Sequence, residues 1–87
     1  MKSTLKILFA DDDLKYSLVL KRFLEREGYE VTYTGNGTMA LEQFPVVKPD
    51  LVLLDINMPG LNGFEVAEKI REQDRHVLIF FPFRPFR

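Results

Sequence analysis

Carboxylates are the groups in this sequence whose types and spacing could do chemistry. Asp11, Asp12 and Asp13 follow directly on the apolar segment Leu5 to Ala10, and Asp55 follows directly on the apolar run Leu51-Val52-Leu53-Leu54. Adjacent carboxylates repel one another, so a fold keeps them together when they are solvated, cap a helix, or face a cation. A carboxylate at the end of so apolar a run is costly to desolvate without a cationic or hydrogen-bonding partner. Two readings of Asp55 stand open. It caps the backbone of the loop Ile56 to Gly63, where Met58-Pro59-Gly60 and Asn62-Gly63 are loop signals. Alternatively, it meets the first acidic group around a metal, and such a hard, all-oxygen set suits magnesium with several retained waters. Asp13 has an ordinary task, since it immediately precedes Leu14, where a helix can begin, and its side chain can accept from the first free amides.

The elements that must position these groups follow from hydrophobic periodicity. Leu5 to Ala10 and Leu51 to Leu54 are short and nearly unbroken in apolar character, the pattern of strands covered on both faces. Tyr16, Val19, Leu20, Phe23 and Leu24 recur at helical spacing opposite Lys15, Lys21, Arg22, Glu25 and Arg26, and Gly28 ends that helix. Glu30 to Thr34 alternates, with Val31 and Tyr33 on one face, and stops at Gly35-Asn36-Gly37. Those three residues lack the lysine and the spacing of a phosphate loop and read as a turn. A short helix is predicted from Thr38 to Phe44, closed by Pro45, and Lys48-Pro49-Asp50 leads into the central strand. Phe64, Ala67 and Ile70 predict a helix over Gly63 to Gln73, and His76 to Phe81 is a fourth apolar strand. The order βαβαβαβ with right-handed crossovers gives a parallel sheet with helices on both faces. Ligands on such sheets bind at the carboxyl edge near the switch in winding direction, where the first and third strands are neighbours. Asp11, Asp12 and Asp55 are thereby expected at one edge.

Composition narrows the function classes. Eighty-seven residues make one domain, burying roughly 60–70% of the unfolded surface. A net charge of −1 shows no basic excess, so no direct contact with nucleic acid is expected. The absence of cysteine removes disulfides and thiol chemistry and fits a reducing, cytoplasmic location. The amino terminus runs from a short apolar segment straight into Asp11, with no cleavage signal, and no apolar run approaches the roughly 20 residues that span a bilayer. His76, the sole histidine, reads as an ordinary exposed side chain at a strand start, and Met39 and Met58 as packing and loop residues.

The segments KILFADDD, LEREGYEV with ALEQF, and above all PDLVLLDINMPGLNGFEV resemble the receiver domain of two-component response regulators. The resemblance covers residues 1–81 and implies a flavodoxin-like parallel sheet of order 2-1-3-4. It implies that Asp55 is the phosphoacceptor, that Asp11 and Asp12 hold magnesium with Asp55, and that Asn57 gives the metal its backbone carbonyl. It further implies a sensor histidine kinase or phosphotransfer protein as partner, and no catalysis beyond the domain's own phosphorylation and dephosphorylation. Against the family pattern, the expected chain is truncated, without a fifth strand and last helices, and residues 82–87 form an atypical tail. The family's hydroxyl residue after the fourth strand falls on Phe81 or Pro82, and its fifth-strand lysine is missing, with Arg84 as a substitute cation of different geometry. Impaired switching is the expectation. Two other classes stay open. Asp11 and Asp13 have the DxD spacing of haloacid dehalogenase-type phosphotransferases, although Asp55 would then be unexplained. A signalling-incompetent fragment could instead act as an oligomerising interaction module, since an uncharged edge at residues 76–81 invites a homodimer.

Overall fold

A computed structural model describes residues 4–82. Phe83, Arg84 and Phe86 of the tail lie outside the described residues, so the substitution of Arg84 for a lysine has no structural counterpart here. The elements run β1 (Lys6–Ala10), α1 (Leu14–Arg26), β2 (Glu30–Thr34), α2 (Gly37–Val47), β3 (Leu51–Leu54), α3 (Gly63–Gln73) and β4 (Leu78–Phe80). All strand pairs are parallel, in the order β2-β1-β3-β4. Ala10 lies opposite Thr34 on one side and Leu54 on the other, so β1, β2 and β3 end level at their carboxyl edge.

Alternation along β1, with both faces covered, explains why its sequence is apolar from Ile7 to Ala10. Leu8 and Ala10 face α2 and α3, in a core with Ala40, Phe44, Val52, Leu54, Val66 and Ile70. Ile7 and Phe9 face α1, with Val31, Tyr33, Leu51 and Leu53. Helices therefore cover both faces, α1 on one side and α2 with α3 on the other, as right-handed crossovers require when the winding direction reverses.

Three expectations about the helices are corrected. Of the stripe predicted on α1, Tyr16, Leu20 and Leu24 pack on the sheet, while Val19 and Phe23 are 71% and 57% exposed. A stripe that broad needs neighbours on two sides, and among the described residues α1 is alone on its face. On α3 the inward residues are Val66 and Ile70 with Ala67, whereas Phe64 is exposed and meets Phe81 at the side. Pro45 does not close α2. It sits inside the last turn, where it forfeits its own amide bond to the preceding turn, and buried Phe44 holds that turn until Lys48 ends it in the left-handed region at φ 52°. The fourth strand is also shorter than predicted, because His76 and Val77 donate their amides to Asp74 Oδ1 and so belong to the preceding turn.

Candidate functional site

The site grows from the point where β1 runs out of sheet. The Asp11 amide donates to the Thr34 carbonyl at 3.2 Å, and the Asp55 amide donates to the Ala10 carbonyl at 2.9 Å. These two bonds extend the ladder one step past each strand, so Asp11 and Asp55 leave neighbouring strands at the same height. Asp11 is buried at 1% exposure and Asp55 at 5%, and the Asp12 side chain is exposed beside them. Carboxylate oxygens of Asp11, Asp12 and Asp55 all lie within 4.8 Å of one another.

Local geometry gives the third aspartate of the run a task of its own. Asp13 does what its place before a helix predicts, its Oδ1 accepting from the Tyr16 amide at 3.1 Å, while its own amide donates to Asp11 Oδ1 at 2.8 Å. The acids that converge are thus Asp11, Asp12 and Asp55, which disfavours the Asp11 and Asp13 pair of the phosphotransferase alternative. Asn57 is exposed in the loop two residues beyond Asp55. Met58 is buried in the core, as a packing role requires, and Met39 is exposed at the start of α2. His76 is exposed in the turn before β4 and is no part of the acidic group.

The other side of Asp55 is set by the start of α3. Asn62 and Glu65 form a reciprocal capping box, each side chain accepting from the other's amide at 2.9 Å. The Gly63 amide donates to the Ile56 carbonyl at 3.0 Å, and a Cβ at Gly63 would overlap the Asp55 carbonyl. Only glycine lets the helix approach the Asp55 backbone this closely. Asn36 caps α2 in the same way, its side chain accepting from the Met39 amide at 2.8 Å. Gly35-Asn36-Gly37 is therefore a helix start as well as a turn, and Asn-x-x-Glu from Asn62 to Glu65 was a legible cap signal that composition alone reads as loop.

The donor set fits a hard divalent cation. Octahedral magnesium holds its oxygens at about 2.0–2.1 Å and thus within about 4.2 Å of each other. A triad spread over no more than 4.8 Å needs only small side-chain adjustment or an intervening water to meet that sphere. Two nearly buried carboxylates side by side repel one another, and a cation at their mouth offsets that repulsion. Beyond β4, the register that pairs Leu53 with Phe80 brings Phe81 level with Leu54, one residue before Asp55. The half-buried Phe81 ring packs against Phe64 with centroids 5.0 Å apart and planes tilted by 52°, so an aromatic ring lies on that flank.

A family model described as the response regulator receiver domain matches residues 7–82. Sensor protein EvgS of Escherichia coli (strain K12) is 41% identical over 76 residues, which are 87% of this chain and 6% of that protein. Sporulation initiation phosphotransferase F of Bacillus subtilis (strain 168) is 34% identical over 74 residues, 85% of this chain and 60% of that protein. Among solved structures, response regulator protein TrrA of Thermotoga maritima in complex with Mg(2+)-BeF superposes with a TM-score of 0.85 at 38% identity, over 97% of this chain and 75% of TrrA. TrrA has also been solved in complex with the histidine kinase ThkA. The chain thus spans less than two thirds of the length of these two curated relatives.

Proposed function

The chain belongs to the response regulator receiver domain family, and from that premise we propose that Asp55 accepts a phosphoryl group in a magnesium-dependent transfer. The observation that carries this is the meeting of Asp11, Asp12 and Asp55 within 4.8 Å at the sheet's carboxyl edge. The donor is a phosphohistidine on a sensor histidine kinase or phosphotransfer protein, as the complex of TrrA with a kinase suggests. An Asp55 oxygen forms the new O–P bond as the N–P bond breaks, and the leaving imidazole nitrogen keeps that electron pair and takes up a proton. Asp55 attacks against its own negative charge, which is why its neighbours matter. A magnesium ion held by Asp11, Asp12, Asp55 and the Asn57 carbonyl would supply the positive charge shared between nucleophile and phosphoryl oxygens. The TrrA complex with Mg(2+)-BeF supports magnesium as the ion.

Chemistry and signalling separate in this chain. Phe81 stands where a hydroxyl would read the phosphoryl group, and its packing on Phe64 ties it to α3, so acceptance at Asp55 produces little conformational switching. The chain acts in the cytoplasm, makes no direct contact with nucleic acid, and is no enzyme beyond turning over its own phosphoryl group. Among the described residues, no helix is long and apolar enough to cross a membrane. A second reading, an oligomerising interaction module, is favoured by the exposure of Leu78 and Phe80 on β4, which among the described residues borders only β3.

Acetyl phosphate with magnesium, followed by mass spectrometry, tests the function. One hydroxylamine-labile phosphoryl adduct is expected, abolished by chelator and by Asp55→Ala. Labelling that survives either change would overturn the assignment.

A further inference from the structure

We propose that Tyr33 is a positioning residue for the acidic site, acting through the peptide plane that joins Asp11 to Asp12. The inference rests on the magnesium reading above and adds a residue that the reading does not contain. The Tyr33 hydroxyl donates to the Asp11 carbonyl at 2.6 Å. That carbonyl is where β1 leaves the sheet: Ala10 is the last residue paired on both sides, and the chain turns from Asp12 toward α1. Because a peptide unit is planar, fixing the direction of the Asp11 carbonyl also fixes the amide and Cα of Asp12. One bond from β2 therefore orients the backbone that carries both members of the acidic pair.

Tyr33 is itself well placed to do this. It is the residue in register with Phe9, so its ring lies on the α1 face of the sheet against Phe9, with centroids 5.7 Å apart. Phe9 in turn meets Tyr16 edge-on at 6.5 Å. The aromatic packing holds the ring below the sheet edge, and the para hydroxyl is the part long enough to reach the carbonyl above it. Asp11 is then constrained at three atoms: its amide by Thr34, its carbonyl by Tyr33 and its Oδ1 by the Asp13 amide. Partners of this kind, which touch the ligand residue and not the metal, commonly tune metal affinity.

Tyr33→Phe keeps the ring packing and removes the hydroxyl, and two readouts on the full chain test it. Without metal, the Asp13 amide resonance should shift and its hydrogen exchange quicken, since its acceptor is Asp11 Oδ1. With Mg2+ titrated by NMR, the dissociation constant should rise about fivefold: without a bond worth about 1 kcal/mol the free site holds the binding orientation in only about a fifth of molecules, and the apparent constant scales inversely with that fraction. Ile70→Val, a core change away from the site, controls for general destabilisation and should leave both readouts at their wild-type values. If Tyr33→Phe leaves the Asp13 amide and the Mg2+ affinity unchanged, or if Ile70→Val moves them equally, the inference is overturned. If wild-type protein binds no Mg2+ while Tyr33→Phe still loosens the Asp13 amide, the positioning role stands and the magnesium reading falls.

Discussion

Gly63 shows how much of the site depends on an atom that is missing. Its amide holds the Ile56 carbonyl, and the space a Cβ would need is taken by the Asp55 carbonyl. Gly63→Ala must push α3 or the Asp55 peptide aside, an overpacking cost of about 1–3 kcal/mol. We expect a lower urea midpoint and slower acetyl phosphate labelling of Asp55, because the displaced peptide bears the nucleophile. Labelling at the wild-type rate would show that the backbone of Asp55 tolerates the shift. The acids themselves behave differently: Asp55→Asn removes one charge from the cluster of three, and Mg2+ titration by NMR should show clearly weaker binding at Asp11 and Asp12.

At the scale of elements, the α3–β4 turn is organised by Asp74 and Arg71. Asp74 Oδ1 accepts from the His76 and Val77 amides at 2.8 and 3.0 Å, and Arg71 Nη1 donates to the Val77 carbonyl at 2.6 Å. The two amide bonds, His76 first, hold the Asp74 carboxyl below its ordinary value of 3.8, with the nearby His76 and Arg71 charges adding to the effect and partial desolvation opposing it. A carboxyl whose pKa is depressed on folding adds stability that is present above its unfolded value and lost as pH falls through its folded one. Urea midpoints measured from pH 5 downward, over about three units, should therefore fall less steeply in Asp74→Asn than in wild type. Parallel acid limbs would mean that the turn forms without the charge. The same turn explains why β4 starts only at Leu78, since the amides before it are committed to Asp74.

Across the whole molecule, β4 is one border of the sheet among the described residues, and it presents apolar side chains. Leu78 and Phe80 are 58% and 54% exposed on the face that carries α1, and β4 borders only β3 among the described residues. An uncharged, apolar strand edge is a template for another strand, and fully burying two such side chains is worth about 1.5–3 kcal/mol each. Two copies pairing edge to edge about a two-fold axis would satisfy both the backbone and the apolar surface. Sedimentation equilibrium at micromolar concentration should give a dimer mass for wild type and a monomer mass for Phe80→Lys. A monomer in both cases would remove the basis for the homodimer.

The sequence by itself determined the strand and helix order, through periodicity, and the carboxyl edge at which Asp11, Asp12 and Asp55 meet, because each strand's apolar run and each helix's stripe respond to burial. The sheet order 2-1-3-4 was legible only through the resemblance to receiver domains, since the handedness of crossovers leaves more than one order open. Asp13 was legible as a cap for a similar reason, since capping is local. What tertiary structure decided are matters of contact across the chain. Val19, Phe23 and Phe64 match a helical stripe yet stay exposed, because how wide a stripe is buried depends on which neighbours lie beside the helix. Pro45 stays helical because buried Phe44 anchors the turn that its own chemistry would end. Tyr33 looked like one half of a strand alternation, and nothing in its local sequence says that its hydroxyl reaches the Asp11 carbonyl 22 positions away. That bond exists because β1 and β2 are parallel and in register at Phe9 and Tyr33, which is a property of the pairing and of neither strand alone.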